Sequence, residues 1–453
     1  MKNILFVTYH LWPKGLSAVR RITNFSKNLS KNGFECTILA AEPVNDELSF
    51  HFKKKYDGDL GVLENVKVVA IPTFENLFII RLIKKNKVLA GILNFLLLPD
   101  LQIIWIFSAV RACLKMVKED KVDAVYVTSQ PNSTQFIGLI VSWITRVPWI
   151  AEFRDPWIQF FLKSWPTRLH YWADRFLEKL IYKNADEIVV VTPMSKTDLV
   201  ENNPFLNPAC IHVIPNGYSS ESFLSLKNIK EKNKFTISFI GRTYWPYYYD
   251  NNEKATLAEV MKRNFLKYSV TKVDRNSTTP YCFLEAVNIL LAKYPELSSK
   301  IEVEFVGAVW RPMEKIVRRF SLEDVVSIKG FISHSACIEK MHNADVLLYI
   351  LGQSKSPLYT VAARLYEYMA SMKPILALVP EGDSANFLKK SGLAFFANPT
   401  DSEDIAKVIY KLYEKWEKGL LEVSFDKDFI EKFEYENLTR DLSLVFKNLK
   451  GKK

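Results

Sequence analysis

Short apolar runs alternate with amphipathic helical stretches along almost the whole chain, and the alternation starts twice. Asn3–Thr8 reads as a first buried strand, and Val19–Asn32 as a helix with Ile22, Phe25, Ser26 and Leu29 on one face. Gly33 supplies the helix stop before a strand at Cys36–Ala40. Further strands fall at Val66–Ile71, Ala124–Thr128, Trp149–Phe153, Glu187–Thr192 and Ile211–Ile214, with helices over Leu101–Val117, Thr134–Thr145 and about Leu169–Asn184 between them. After Pro215-Asn216-Gly217 the rhythm restarts with a strand at Thr236–Ile240 that ends on Gly241. Strands at Ile301–Gly307, Val325–Ile328, Val346–Ile350, Ile375–Val379 and Ala394–Ala397 follow, with helices at Thr279–Lys293 and Ala336–Asn343. Such alternation implies parallel, doubly wound sheets with helices on both faces. The fold class is therefore α/β: two Rossmann-like domains, 1–215 and 216–427, and a last helix in 428–453 that packs back on the N-terminal domain.

At 453 residues the chain exceeds one core of ordinary size, which agrees with two domains. Its 61 basic and 50 acidic side chains leave a net charge of +11, divided nearly evenly between the halves. That diffuse charge suits phosphate ligands or an anionic membrane surface. It is too weakly clustered for nucleic acid, and no nucleic-acid-binding motif is present. Five cysteines without CxxC spacing read as reduced thiols, hence a cytoplasmic protein, with the inner face of the plasma membrane as an alternative place. The longest lipid-like stretch, Val88–Leu98, is half the length of a spanning helix. Around it, 77–98 mixes Phe78, Ile79, Ile80 and Leu82 with Arg81, Lys84, Lys85 and Lys87. Peripheral membrane contact through an interfacial helix is one reading; a core-packed helix with a solvated basic face is the other.

The most informative local stretch is Ser356–Val379. Ser356-Pro357 carries the signature of a helix start, a hydroxyl cap followed by proline at the first position. Pro374 ends the helix and Ile375–Val379 follows as a strand. Arg364 and Glu367, three apart, share a helical face. Amides and a guanidinium suit phosphates, and a carboxylate suits sugar hydroxyls, so the set fits a nucleoside diphosphate; an ordinary surface helix with an i,i+3 ion pair is the other reading. About forty residues, roughly 242–278, separate Gly241 from the next helix. A βα loop is usually two to six residues, so this insertion is expected to be functional or mobile. Asp57-Gly58-Asp59 resembles a metal-binding D-x-D but follows no strand, and His334 and His342 have no third ligand, so no metal site is expected.

Together these stretches resemble the retaining glycosyltransferases of family four, which have the GT-B fold of two facing Rossmann-like domains. The resemblance is closest to a bacterial polysaccharide-type subgroup, through Pro99-Asp100 with Trp105, T-S-Q-P at Thr128–Pro131, and A-E-F-R-D-P-W at Ala151–Trp157. It implies a hexosyltransferase that moves a sugar from a nucleotide-diphosphate sugar to a saccharide or lipid-linked acceptor, with no cofactor and no required metal. Carried onto this chain, it places Gly15, Arg20, Gly241, Arg242, Tyr359, Thr360, Arg364 and Glu367 at the donor and Arg154 and Asp155 at the catalytic centre. It also makes Asn216-Gly217 a hinge turn. Tyr359 stands where the family's first E-x7-E glutamate belongs, and Met372 stands where a helix-ending glycine is common. Two other functions share the fold: a catalytically impaired nucleotide-binding scaffold of a polysaccharide assembly complex, favoured by Tyr359 and the insertion, and a nucleotide-sugar epimerase.

Overall fold

The computed structural model describes residues 2–11, 17–42, 66–73, 86, 92–93, 95–160, 163–224, 233–242, 268–270, 279–308, 312–352 and 360–449. The chain divides into two compact units. One comprises Met1–Asn216, Leu266–Val270 and Tyr435–Lys453, and the other Gly217–Phe265 and Thr271–Glu434.

In the first unit seven parallel strands form one sheet: β1 (Lys2–Thr8), β2 (Phe34–Ala41), β3 (Lys67–Ile71), β4 (Ala124–Ser129), β5 (Trp149–Phe153), β6 (Glu187–Val190) and β7 (Ile211–Val213). Their order is β3-β2-β1-β4-β5-β6-β7, which reverses direction between β1 and β4. Strand alternation sends Ile4 and Phe6 to one face and Leu5 and Val7 to the other. The first face is covered by α1 (Ser17–Lys31), which contributes Val19, Ile22, Phe25 and Leu29. The opposite face is covered by α2 (Ile106–Glu119), α3 (Gln135–Thr145), α4 (Arg168–Asn184) and α5 (Pro193–Asn202).

The second unit has a six-stranded parallel sheet of β8 (Phe235–Ile240), β9 (Ile301–Val306), β10 (Val326–Lys329), β11 (Val346–Ile350), β12 (Ile375–Leu378) and β13 (Ala394–Phe396). Its order, β10-β9-β8-β11-β12-β13, reverses between β8 and β11. The helices are α6 (Tyr281–Lys293), α7 (Pro312–Arg319), α8 (His334–Asn343), α9 (Arg364–Ala370), α10 (Asp383–Ser391), α11 (Ser402–Glu417) and α12 (Lys427–Glu431). A final helix, α13 (Tyr435–Asn448), belongs to the first unit and packs beside α1, with the Phe25 and Tyr435 rings 5.5 Å apart.

Three expectations from the sequence need correction. The last helix is two helices, because Asp426 caps α12 through the Phe429 amide and the chain then breaks before α13. Within the 242–278 stretch, Leu266–Val270 belongs to the first unit, where Tyr268 pairs with Trp165. The helix placed at Ser356 begins only at Arg364: Thr360–Val361–Ala362 is not helical, and the Ser356-Pro357 signal lies outside the described residues. Met372 adopts the left-handed backbone that the missing glycine implies, with φ 54°.

Candidate functional site

In open α/β sheets ligands bind beyond the carboxyl ends of the strands where the strand order reverses. In the second unit that place is the end of β8 and β11, and α9 is fastened to both. The Tyr368 hydroxyl accepts from the Ile240 amide at 2.8 Å. Tyr349, at the β11 end, accepts from the Ala362 amide at 3.2 Å, and Ser384 donates to the Thr360 carbonyl at 2.9 Å. These bonds hold the turn before α9 and aim its first side chain.

That side chain is Arg364. Its guanidinium lies 4.8 Å from the centre of the Phe239 ring and 5.3 Å from that of Tyr349, and donates to the Ile350 carbonyl at 3.3 Å. Its Nε is buried without a hydrogen-bond partner, and no carboxylate pairs with the guanidinium among the described residues. Gly241 makes room for it: a Cβ there would stand 2.7 Å from an Arg364 terminal nitrogen, and the φ of 149° already disfavours a side chain. With α9 only seven residues long, the positive charge at this point comes from the Arg364 side chain and not from a long helix terminus.

One turn further, Glu367 is buried and its Oε1 lies 2.8 Å from Nε2 of His334, the first residue of α8. Sequence reasoning set His334 aside as a failed metal ligand. Here it orients a carboxylate, which no spacing could reveal because the two residues sit 33 apart on different helices. Arg242 is exposed directly after Gly241, and Thr360 lies in the turn before α9. The structure thus brings Gly241, Arg242, Thr360, Arg364 and Glu367 to one end of one sheet. Tyr359 and Gly15 lie outside the described residues, as do Asp57 and Asp59.

In the first unit, Arg154 and Asp155 follow β5 beside the sheet's reversal. Arg154 Nε donates to the Ser129 carbonyl at the end of β4, at 2.5 Å. Burial raises the Asp155 carboxyl above its ordinary range, with the nearby Arg154 charge opposing it. The rest of the motif is scaffolding. Trp157 Nε1 donates to Asp174 at 2.7 Å, and Gln135 Nε2 ties β4 and β5 together through Val127 and Glu152 carbonyls.

Arg20 is partly exposed on α1. Its neighbour Arg21 is the buried cation, one that the sequence analysis did not single out. It bonds Glu152 at 2.7 Å, the Ile214 carbonyl at 2.7 Å and the Pro215 carbonyl. Tyr126 donates to the same Glu152 oxygen at 2.6 Å. Burial alone would raise the Glu152 carboxyl, but Arg21 and hydrogen bonds from Thr128 and Tyr126 outweigh it and hold it below the usual range. Asn216, one residue beyond the Pro215 carbonyl, ends the first segment of that unit.

Residues 18–222 match Glycosyltransferase Family 4. An uncharacterized glycosyltransferase of Methanocaldococcus jannaschii is 38% identical over 83 residues, a stretch that spans 17% of this chain and 21% of that protein. Sucrose-phosphate synthase of Thermosynechococcus elongatus superposes with a TM-score of 0.63 at 13% identity, covering 99% of this chain and 98% of that one. Anabaena HepE, solved in complex with UDP and glucose, superposes at 0.60 and 14% identity, covering 99% and 100%. The chain has the GT-B fold, with two Rossmann-like α/β domains built on parallel sheets.

Proposed function

We propose that this chain transfers a hexose from a nucleotide-diphosphate sugar to an acceptor hydroxyl with retention, in the synthesis of a surface polysaccharide or glycolipid. One observation carries the reading above the others. Arg364 is a guanidinium whose buried Nε has no hydrogen-bond partner among the described residues, placed where α/β sheets bind ligands. A cation so placed calls for an anion, and a diphosphate can be gripped in two-pronged fashion by Arg364 while Arg242 adds charge. The match of residues 18–222 to a glycosyltransferase family supports the same reading.

In the proposed step the bond between the anomeric carbon and the phosphate oxygen breaks as the bond to the acceptor oxygen forms. The acceptor proton passes to the leaving phosphate. Arg364 and Arg242 stabilise the charge that develops there. Glu367, oriented by His334, accepts from the donor's ribose hydroxyls.

Calorimetric titration with UDP and GDP tests this. A charge-assisted contact is worth about 1.5–3 kcal/mol, so Arg364→Ala should weaken the bound nucleotide by about ten- to a hundredfold. Unchanged affinity would refute the assignment. Glu367→Gln should weaken the nucleoside diphosphate while leaving inorganic pyrophosphate binding intact, because pyrophosphate has no ribose. Loss of both to the same extent would place Glu367 elsewhere. Turnover should also survive EDTA; rescue by magnesium after its loss would return attention to Asp57 and Asp59. Tyr359 in the family's glutamate position favours the impaired-scaffold alternative. Binding of the nucleotide sugar with no slow hydrolysis and no transfer would select that reading.

A further inference from the structure

Helix α4 buries its acids and exposes part of its apolar set. Its two acids face inward: Asp174 is fully buried and receives Trp157 Nε1, Trp165 Nε1 and Lys163 Nζ at 2.7, 2.7 and 2.6 Å. Glu178 is buried against the Ile158 amide at 3.2 Å, the Tyr182 hydroxyl at 3.2 Å and Arg175. Ile181 and Tyr182 are buried on the same inward side, yet three large apolar residues face outward, with Leu169 76%, Trp172 65% and Phe176 66% exposed. These three lie at i, i+3 and i+7, a single stripe that Lys179 and Lys183, both exposed, continue toward the helix C-terminus. Exposed Arg168 stands at the other end.

The stripe continues onto neighbouring elements. The Phe95 ring packs 4.4 Å from His170, whose Nε2 lies 2.8 Å from the Phe95 carbonyl, and Phe95 and Leu96 are themselves 46% and 67% exposed. At the far end Trp143 of α3, 51% exposed, donates to Asn184 at 3.2 Å. A soluble surface helix would turn its acids out and its aromatics in. Here the outward side of α4 presents leucine, tryptophan, phenylalanine and cations, with both acids of the helix withdrawn. Aromatic and aliphatic side chains flanked by Lys and Arg match the boundary of an anionic bilayer, where rings enter the acyl edge and cations meet the headgroups. We infer that the α4 face of the first unit, with Phe95 and Leu96, docks on an anionic lipid surface. The occupant is a lipid bilayer; a second copy of this chain is the rival that the test separates.

The test is co-sedimentation of the full chain with vesicles of phosphatidylcholine alone and of phosphatidylcholine mixed with phosphatidylglycerol. Binding is expected only to the mixed vesicles, weakening as salt is added. Trp172→Ser with Phe176→Ser, and separately Lys179→Glu with Lys183→Glu, should each lower it by about tenfold or more. Leu444→Ser, at an exposed residue on α13 against the other sheet face, should leave it unchanged. The charge pair decides the matter should the first pair fail to fold. The inference is overturned if the wild-type chain stays in the supernatant, or if both pairs bind as it does. It is equally overturned if ultracentrifugation without lipid shows a dimer that Trp172→Ser with Phe176→Ser dissolves.

Discussion

Arg21→Met should lower the stability of the first unit by about 3–5 kcal/mol, the usual cost of stranding one member of a buried ion pair. Arg21 and Glu152 are 1% and 2% exposed, so neither can recruit water once its partner is gone. The substitution removes the counter-charge of Glu152 and also the donor for the Ile214 and Pro215 carbonyls. Its effect should be read as a shift in the urea midpoint at unchanged slope, the sign of altered stability with the denatured state left alone. The variant also has a distinctive pH dependence. In the wild-type chain the Glu152 carboxyl is held low, so its contribution is present above the unfolded value and lost as pH falls through the folded one. Without Arg21, burial pushes that carboxyl up, and protonation then relieves the variant. The difference between the two proteins should therefore shrink as pH falls through the glutamate range. A variant as stable as wild type at pH 7, or a gap that widens in acid, would contradict the role given to this pair.

Asp155→Asn should lower turnover by about a hundredfold or more while donor affinity stays nearly unchanged. Asp155 stands two residues beyond β5, the strand next to β4 at the sheet's reversal, and its neighbour Arg154 gives one N–H to the Ser129 carbonyl. Pro156 biases it toward extended backbone, and Trp157 is anchored on Asp174, so the carboxylate is held on a fixed stem. An ionised Asp155 would orient the acceptor or stabilise positive charge at the anomeric carbon. Because burial raises its pKa, activity that needs the carboxylate is present above that raised value and lost as pH falls through it. The acid limb of turnover should thus lie above the ordinary aspartate range and vanish in Asp155→Asn. Equal losses of donor binding and turnover would make Asp155 a structural residue.

The sequence by itself determined the elements and much of their order. Apolar runs such as Val346–Ile350 and the 3.6-residue period of Ile22, Phe25 and Leu29 are local signals, and local signals survive without a fold. The common face of Arg364 and Glu367 was legible for the same reason, as was the strained turn at Met372. Local signals also reach only so far: no helix runs through Thr360 and Ala362 into Arg364, because Tyr349 and Ser384 hold that turn by hydrogen bonds the sequence does not announce. Only the tertiary structure chose partners across distance. Arg21 meets Glu152 over 131 residues and His334 meets Glu367 over 33, and nothing in either neighbourhood announces the other. It also decided which side of α4 is the inside. A helical period states that two faces differ, but not which one the rest of the chain will cover. Two tryptophan N–H groups and a lysine awaited Asp174, so its charge could be buried, and the ring of Trp172 was left facing out.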